Sequence, residues 1–187
     1  IHVPQDSSLN WGSGDGAVSA WVKTSADYGT GYGVILVNGA GGTDQRRYVL
    51  RIDGDDGAVN NRPRFDIDDN SAGGLKTAAG NSPINDGKWH HLVGVRGGNV
   101  LLLYVDGELV GAANITGYGN IDDTEGLTIG ASNIGEGGEG NDQYFNGVID
   151  EVQVFNSALS KQKIKEIFRA GRDHRLSRNF VARDLSS

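Results

Sequence analysis

Glycine punctuates this chain so densely that regular helical architecture is closed to most of it. Thirty of the 187 residues are Gly, roughly twice the ordinary share. They cluster with Asn and Asp between short apolar runs. A glycine inside a helix costs about 0.5–1 kcal/mol relative to alanine, which rules out a helical bundle. The glycines keep no three-residue period, which rules out collagen. What is left is a succession of short strands. Candidates are 17–24 (AVSAWVKT), 33–38 (GVILVN), 46–53 (RRYVLRID), 62–68 (RPRFDID), 89–96 (WHHLVGVR), 100–106 (VLLLYVD), 108–113, 127–130 and 144–155. Short strands at this rhythm, with turn residues between them, predict an all-β sandwich or barrel. The length suits one domain, and neither an internal repeat nor a low-complexity linker divides it.

Two local features are sharper. Asp106-Gly107 accepts the positive φ angles of a two-residue type I′ turn, so 100–105 and 108–113 should form a hairpin. Ser160 is a natural N-cap. Ile164, Ile167 and Phe168 follow at helical spacing, and Gly171 is a natural C-terminal stop. The expectation is a domain over 1–171 that ends in one short helix. An arm or tail over 172–187, carrying four arginines, would follow it.

Side chains alternate across a strand, so each run divides into two faces. In 46–53, Tyr48, Leu50 and Ile52 share one face; in 62–68, Phe65 and Ile67 share one face with Pro63. Leu101, Leu103 and Val105 form another apolar face. The opposite faces carry Arg47, Arg51, Arg62, Arg64, Asp53, Asp66, Asp68 and Tyr104. If these strands are neighbours in one sheet, that set forms one surface. It reads either as a sheet of cross-strand ion pairs or as a binding groove. In a groove, arginine forks would hold carboxylates, sulfates or sugar hydroxyls, and Tyr104 would offer a stacking platform. Tyr118 and Tyr144, beside glycine-rich loops, are rim candidates.

The formal net charge is −7 and the pI is about 5.0, which argues against nucleic acid as a partner. The longest apolar run, Val100–Val105, is far too short to span a membrane. There is no Cys, so disulfides, thiolate catalysis and zinc–thiolate sites are excluded. There is also no Met, and the chain is expected to be one module of a larger protein.

Three segments then combine. Val3–Thr24 reads VPQDSSLNWGSGDGAVSAWVKT. Gly87–Val110 reads GKWHHLVGVRGGNVLLLYVDGELV. Asn146–Ser160 reads NGVIDEVQVFNSALS and runs on into KQKIKEIF. In this order they resemble the laminin-G-like jelly-roll domains of the concanavalin A-like lectin/glucanase superfamily. The resemblance reaches to about Phe168, with 27–83 matching mainly in strand rhythm. It implies a two-sheet antiparallel jelly-roll β-sandwich in an extracellular or cell-surface setting. It also implies a non-catalytic carbohydrate-binding module whose partners are a polysaccharide or oligosaccharide and other domains of the same parent chain. The alternative is a calcium-dependent adhesion or protein-interaction module.

The resemblance further implies a structural calcium, with Asp150 in the last long strand as a ligand and Asp6 or carbonyls near it as the second. The acidic loop 135–142, with Glu136, Glu139 and Asp142, is another place for a hard cation, although it lacks the EF-hand order. His90 and His91 are adjacent, face opposite ways on a strand and cannot share a metal, so a structural role is expected, with His91 inward beside Trp89 and Val93. Gly-x-Ser-x-Gly and phosphate-loop motifs are absent. So is the Glu-x-Asp-x-x-Glu pattern of glycan-cleaving relatives. Asp66 and Asp68 sit beside Arg62 and Arg64, which favours their ionised form and leaves no evident acid for glycoside cleavage. Tyr104, His90 and Arg64 could mimic the Tyr/His/Arg set of a jelly-roll polysaccharide lyase, but lyase motifs are missing. No enzymatic activity is expected.

Overall fold

The computed structural model describes residues 1–39, 46–54, 59–71, 73–132 and 143–184, with side chains as far as Arg175. Among these residues the strands are β1 (His2–Val3), β2 (Gly16–Lys23), β3 (Tyr32–Asn38), β4 (Arg47–Asp53), β5 (Arg62–Asp68), β6 (Lys76–Ala79), β7 (Trp89–Gly97), β8 (Val100–Val105), β9 (Glu108–Asn114), β10 (Leu127–Ile129) and β11 (Val148–Phe155). A 3-10 turn, Ser7–Leu9, follows β1, and helix α1 (Lys161–Asp184) closes the chain. The strands make two antiparallel sheets, ordered β1-β10-β3-β4-β5-β6 and β11-β2-β7-β8-β9. This is the expected jelly-roll sandwich. The β8–β9 hairpin turns at Asp106 (φ 51°) and Gly107 (φ 82°), as the Asp-Gly pair predicts.

The main core lies between the sheets and follows the alternation read from sequence. Tyr48, Leu50, Ile52, Phe65 and Ile67 meet Val18, Ala20, Val22, Leu92, Leu101 and Leu103. Burying side chains of this size contributes about 1.5–3 kcal/mol each. The two sheets approach closely at Gly94, where a Cβ would stand 2.4 Å from the Phe65 ring. Only glycine lets that ring lie flat on β7. Trp11 stacks on Tyr48 with ring centroids 4.2 Å apart, and the Tyr48 hydroxyl donates to the Leu9 carbonyl at 3.1 Å.

A second, smaller core sits on the outer face of the five-stranded sheet, beneath α1. It holds Ala17, Val93, Val95, Tyr104 and Ile164. Ser160 caps the helix as expected, its hydroxyl accepting from Lys163 N at 3.2 Å. The helix does not stop at Gly171 but runs through it to Asp184. Gly171 is buried against Trp21, where a Cβ would come within 2.3 Å of the indole nitrogen. This glycine permits close packing in mid-helix rather than a chain reversal. The region expected as an arm beyond residue 171 therefore begins as a continuation of the helix. Its Arg175 lies over the rings of Trp21 and Trp89, 4.2 and 4.7 Å from their centroids. No helix among the described residues is long and apolar enough to cross a membrane.

Candidate functional site

β4 and β5 lie side by side near one edge of the six-stranded sheet, in a register that sets Arg47 opposite Asp68, Arg51 opposite Arg64, and Asp53 opposite Arg62. All of these side chains, with Asp66, occupy the outer face, away from the main core. Two arginines directly opposite repel, so the aspartates decide whether the face is stable. Arg51 Nε lies 2.8 Å from Asp66 Oδ2. Arg64 reaches Asp53 Oδ2 at 2.6 Å through Nη1 and Asp66 Oδ1 at 3.4 Å through Nη2. Arg47 faces Asp68 at 3.7 Å, and Arg62 faces Asp53 at 3.8 Å. Thr77 of β6 donates to Asp66 Oδ1 at 2.6 Å and accepts from Arg64 at 2.9 Å. The Arg51 guanidinium stacks on Tyr32, 4.1 Å from the ring centroid.

The cluster is therefore a network of mutual partners, and it is largely withdrawn from water. The Arg51 and Asp66 side chains are 2% and 0% exposed, whereas Arg62 and Arg64 keep 15% and 13%. Charges at this depth persist only when paired. Among the described residues four arginines and three aspartates share this face, and Arg62 and Arg64 are the more accessible of its arginines. Burial works against the Arg64 charge, but Asp66 and Asp53 outweigh it and hold the guanidinium above its ordinary pKa.

The remaining candidates are distributed differently. Tyr104 is not on the arginine face. Its strand β8 belongs to the other sheet, and the side chain is buried under α1. Sequence alternation gave the correct face of each strand but not which sheet each strand joins. The lyase-like set fails for the same reason, since Tyr104 and His90 lie on the sheet opposite Arg64. Tyr118 packs partly on the main core, and its hydroxyl donates to the carbonyls of Gly74 and Ile67. Burial, with Asp68 and Asp69 nearby, pushes its phenol up to about 12. Tyr144 is exposed, just before β11.

Asp6 and Asp150 follow or lie in strands of different sheets, and each carboxylate has protein partners. Asp6 follows β1 of the six-stranded sheet and caps the 3-10 turn, accepting from Ser8 N at 2.8 Å. Asp150 is in β11 of the five-stranded sheet. Its Oδ2 takes Arg175 at 2.9 Å, and its Oδ1 takes Glu151 N at 2.9 Å. Among the described residues no three metal-ligating side chains converge. The acidic loop with Glu136, Glu139 and Asp142 lies outside the described residues.

His91 is inward, as expected, but under the helix. It stands 5.2 Å from Trp21 and 6.2 Å from Phe168, ring centre to ring centre. His90, by contrast, bridges Asp106 at 2.8 Å and Asp86 at 3.1 Å. The hydrogen bond to Asp106 raises its pKa against the opposing effect of burial.

Sequence reasoning missed Tyr32 and Thr77. Tyr32 immediately precedes a recognised apolar run, and a strand start one residue earlier would have placed it. Thr77 lies in a four-residue strand with no periodic signal.

Two antiparallel sheets packed as a jelly-roll sandwich define the fold class of the domain. The family model of the concanavalin A-like lectin/glucanases superfamily, of laminin-G type, matches residues 1–165, and the chain belongs to this family. No curated protein sequence matches it significantly. Among solved structures it is similar to the CBM40 of a Ruminococcus gnavus IT-sialidase, at 17% identity and a TM-score of 0.65, covering 90% of this chain and 95% of that one. The same CBM40 bound to α2,3 sialyllactose matches at 16% identity with a TM-score of 0.65 and the same coverage. A Trp-to-Ala mutant of HCR/D matches at 16% identity and a TM-score of 0.59, over 84% of this chain but 37% of that one. These likenesses establish the shared fold.

Proposed function

We propose that this domain is a non-catalytic carbohydrate-binding module that takes an acidic oligosaccharide on the outer face of its six-stranded sheet. The observation that carries the reading is the gathering of four arginine side chains on that one face, with Arg62 and Arg64 the more accessible of them. A carboxylate on the sugar would take the arginine forks, and Tyr32 holds Arg51 in place behind them. The similarity to a CBM40 bound to sialyllactose supports an acidic glycan. All three aspartates of the face are partnered by arginines, an arrangement suited to holding a ligand rather than to proton transfer. In a secreted or surface protein such a module would keep linked domains on their substrate by raising effective concentration. The calcium-dependent adhesion alternative gains no support from Asp6 or Asp150.

The test is affinity electrophoresis through gels containing acidic or neutral polysaccharides. Acidic gels should retard the domain, and Arg62→Ala with Arg64→Ala should abolish the retardation while thermal melting confirms a folded protein. Unchanged retardation of the double variant would move the site elsewhere.

A further inference from the structure

A cleft of about 630 Å³ opens at the end of the five-stranded sheet, away from the arginine face. Lys23, Trp89 and Val148 form one cross-strand row there, since Lys23 pairs with Trp89 on β7 and with Val148 on β11. Thr24, Ser25 and Asn146 complete the wall. We propose that this cleft is a second saccharide site, selective for a carboxylated sugar and independent of the arginine face.

The cleft is preformed. Thr24 donates through its hydroxyl to the Asn146 carbonyl at 2.6 Å and accepts from Ala26 N at 3.0 Å. Gly87 N donates to the Thr24 carbonyl at 2.9 Å, and Asn146 N donates to the Tyr28 hydroxyl at 3.2 Å. The loops from three strand ends are thereby tied together. Trp89 is half-buried, and its ring is braced by Arg175, which is itself held by Asp150 and Glu151 at 2.9 and 3.1 Å. A rigid indole is a low-entropy platform for the apolar face of a pyranose. Lys23 is exposed beside it and is the only charged side chain among the described residues of the lining. An aromatic surface, an adjacent ammonium and flanking hydroxyl and amide groups recognise a sugar ring that carries a carboxylate.

The test is a ¹H–¹⁵N chemical-shift titration of the domain with digalacturonate and with neutral galactobiose. Digalacturonate should produce saturable shifts at Lys23, Gly87, Asn146 and the Trp89 indole. Galactobiose should bind at least about fivefold more weakly, and Lys23→Gln should lose a similar factor, the range of one partly exposed charge contact. Trp89→Phe should retain binding and Trp89→Ala should lose it. The variant Arg62→Ala/Arg64→Ala should leave the cleft shifts unchanged. Equal affinity for the two sugars, or shifts confined to β4 and β5, would overturn the proposal. The latter would leave the arginine-face reading standing.

Discussion

The docking of α1 hangs on a histidine that pays for its burial in acid, and this can be measured. His91 is 1% exposed. Trp21 of β2 and Phe168 of α1 stack about it, Asp106 accepts its backbone N–H at 2.9 Å, and Arg175 of α1 is the nearby cation. Burial pushes its pKa down to about 4, Arg175 adds to the effect, and Asp106 opposes it. A folded pKa below the unfolded value of about 6.5 means that the unfolded chain takes up the proton first. The stabilisation is complete above the unfolded pKa and is lost as pH falls towards the folded one. With these two values the loss between about pH 7 and pH 5 is about 2 kcal/mol. His90 has its pKa raised and runs the other way, favouring the fold below its unfolded pKa and losing that contribution as pH rises through the folded value. A difference measurement removes it, along with every carboxylate. Urea unfolding of the native protein and of His91→Phe, followed by tryptophan fluorescence at both pH values, isolates the one group. The stability of H91F relative to the native protein should rise by about 2 kcal/mol on going from pH 7 to pH 5. A difference constant to within about 0.5 kcal/mol would refute the reasoning.

Other consequences are as direct. Gly171→Ala should destabilise by about 1–3 kcal/mol, because its methyl would enter the Trp21 indole; an unchanged melting temperature would mean that the helix docks otherwise. Gly94→Ala should cost at least as much, about 1–3 kcal/mol or more, since the Phe65 ring has no room to move between the sheets; chemical denaturation reads it. Asp150→Asn should cost no more than about 1 kcal/mol, because the Asp150 side chain is 48% exposed. That loss should be the same in calcium and in EDTA, and a loss seen only in calcium would place a cation at Asp150.

Much of the fold was legible in the sequence because its signals are local. Alternation in 46–53 and 62–68 assigned the core faces correctly, the Asp-Gly pair specified the β8–β9 turn, and Ser160 marked the start of α1. What was not legible is non-local. Whether β8 joins the sheet of β4 and β5 or the facing one depends on chain topology, and Tyr104 was misplaced for that reason. Gly171 looks like a helix stop until Trp21 is known to lie against it. That Asp150 pairs with Arg175 at 2.9 Å could not be read either, because α1 supplies the partner from 25 residues away. The arginine and aspartate residues of the outer face were found from the strand pattern. Their near-complete withdrawal from water was not, because burial is a property of what packs over a sheet rather than of the strands in it.

The most direct test of the central claim is isothermal titration of the domain with 3′-sialyllactose and with lactose, repeated on Arg62→Ala/Arg64→Ala. The account predicts binding of the acidic sugar, little or none of lactose, and loss of the acidic-sugar signal in the folded double variant. Equal heats from both sugars, or an unchanged affinity in the double variant, would contradict it.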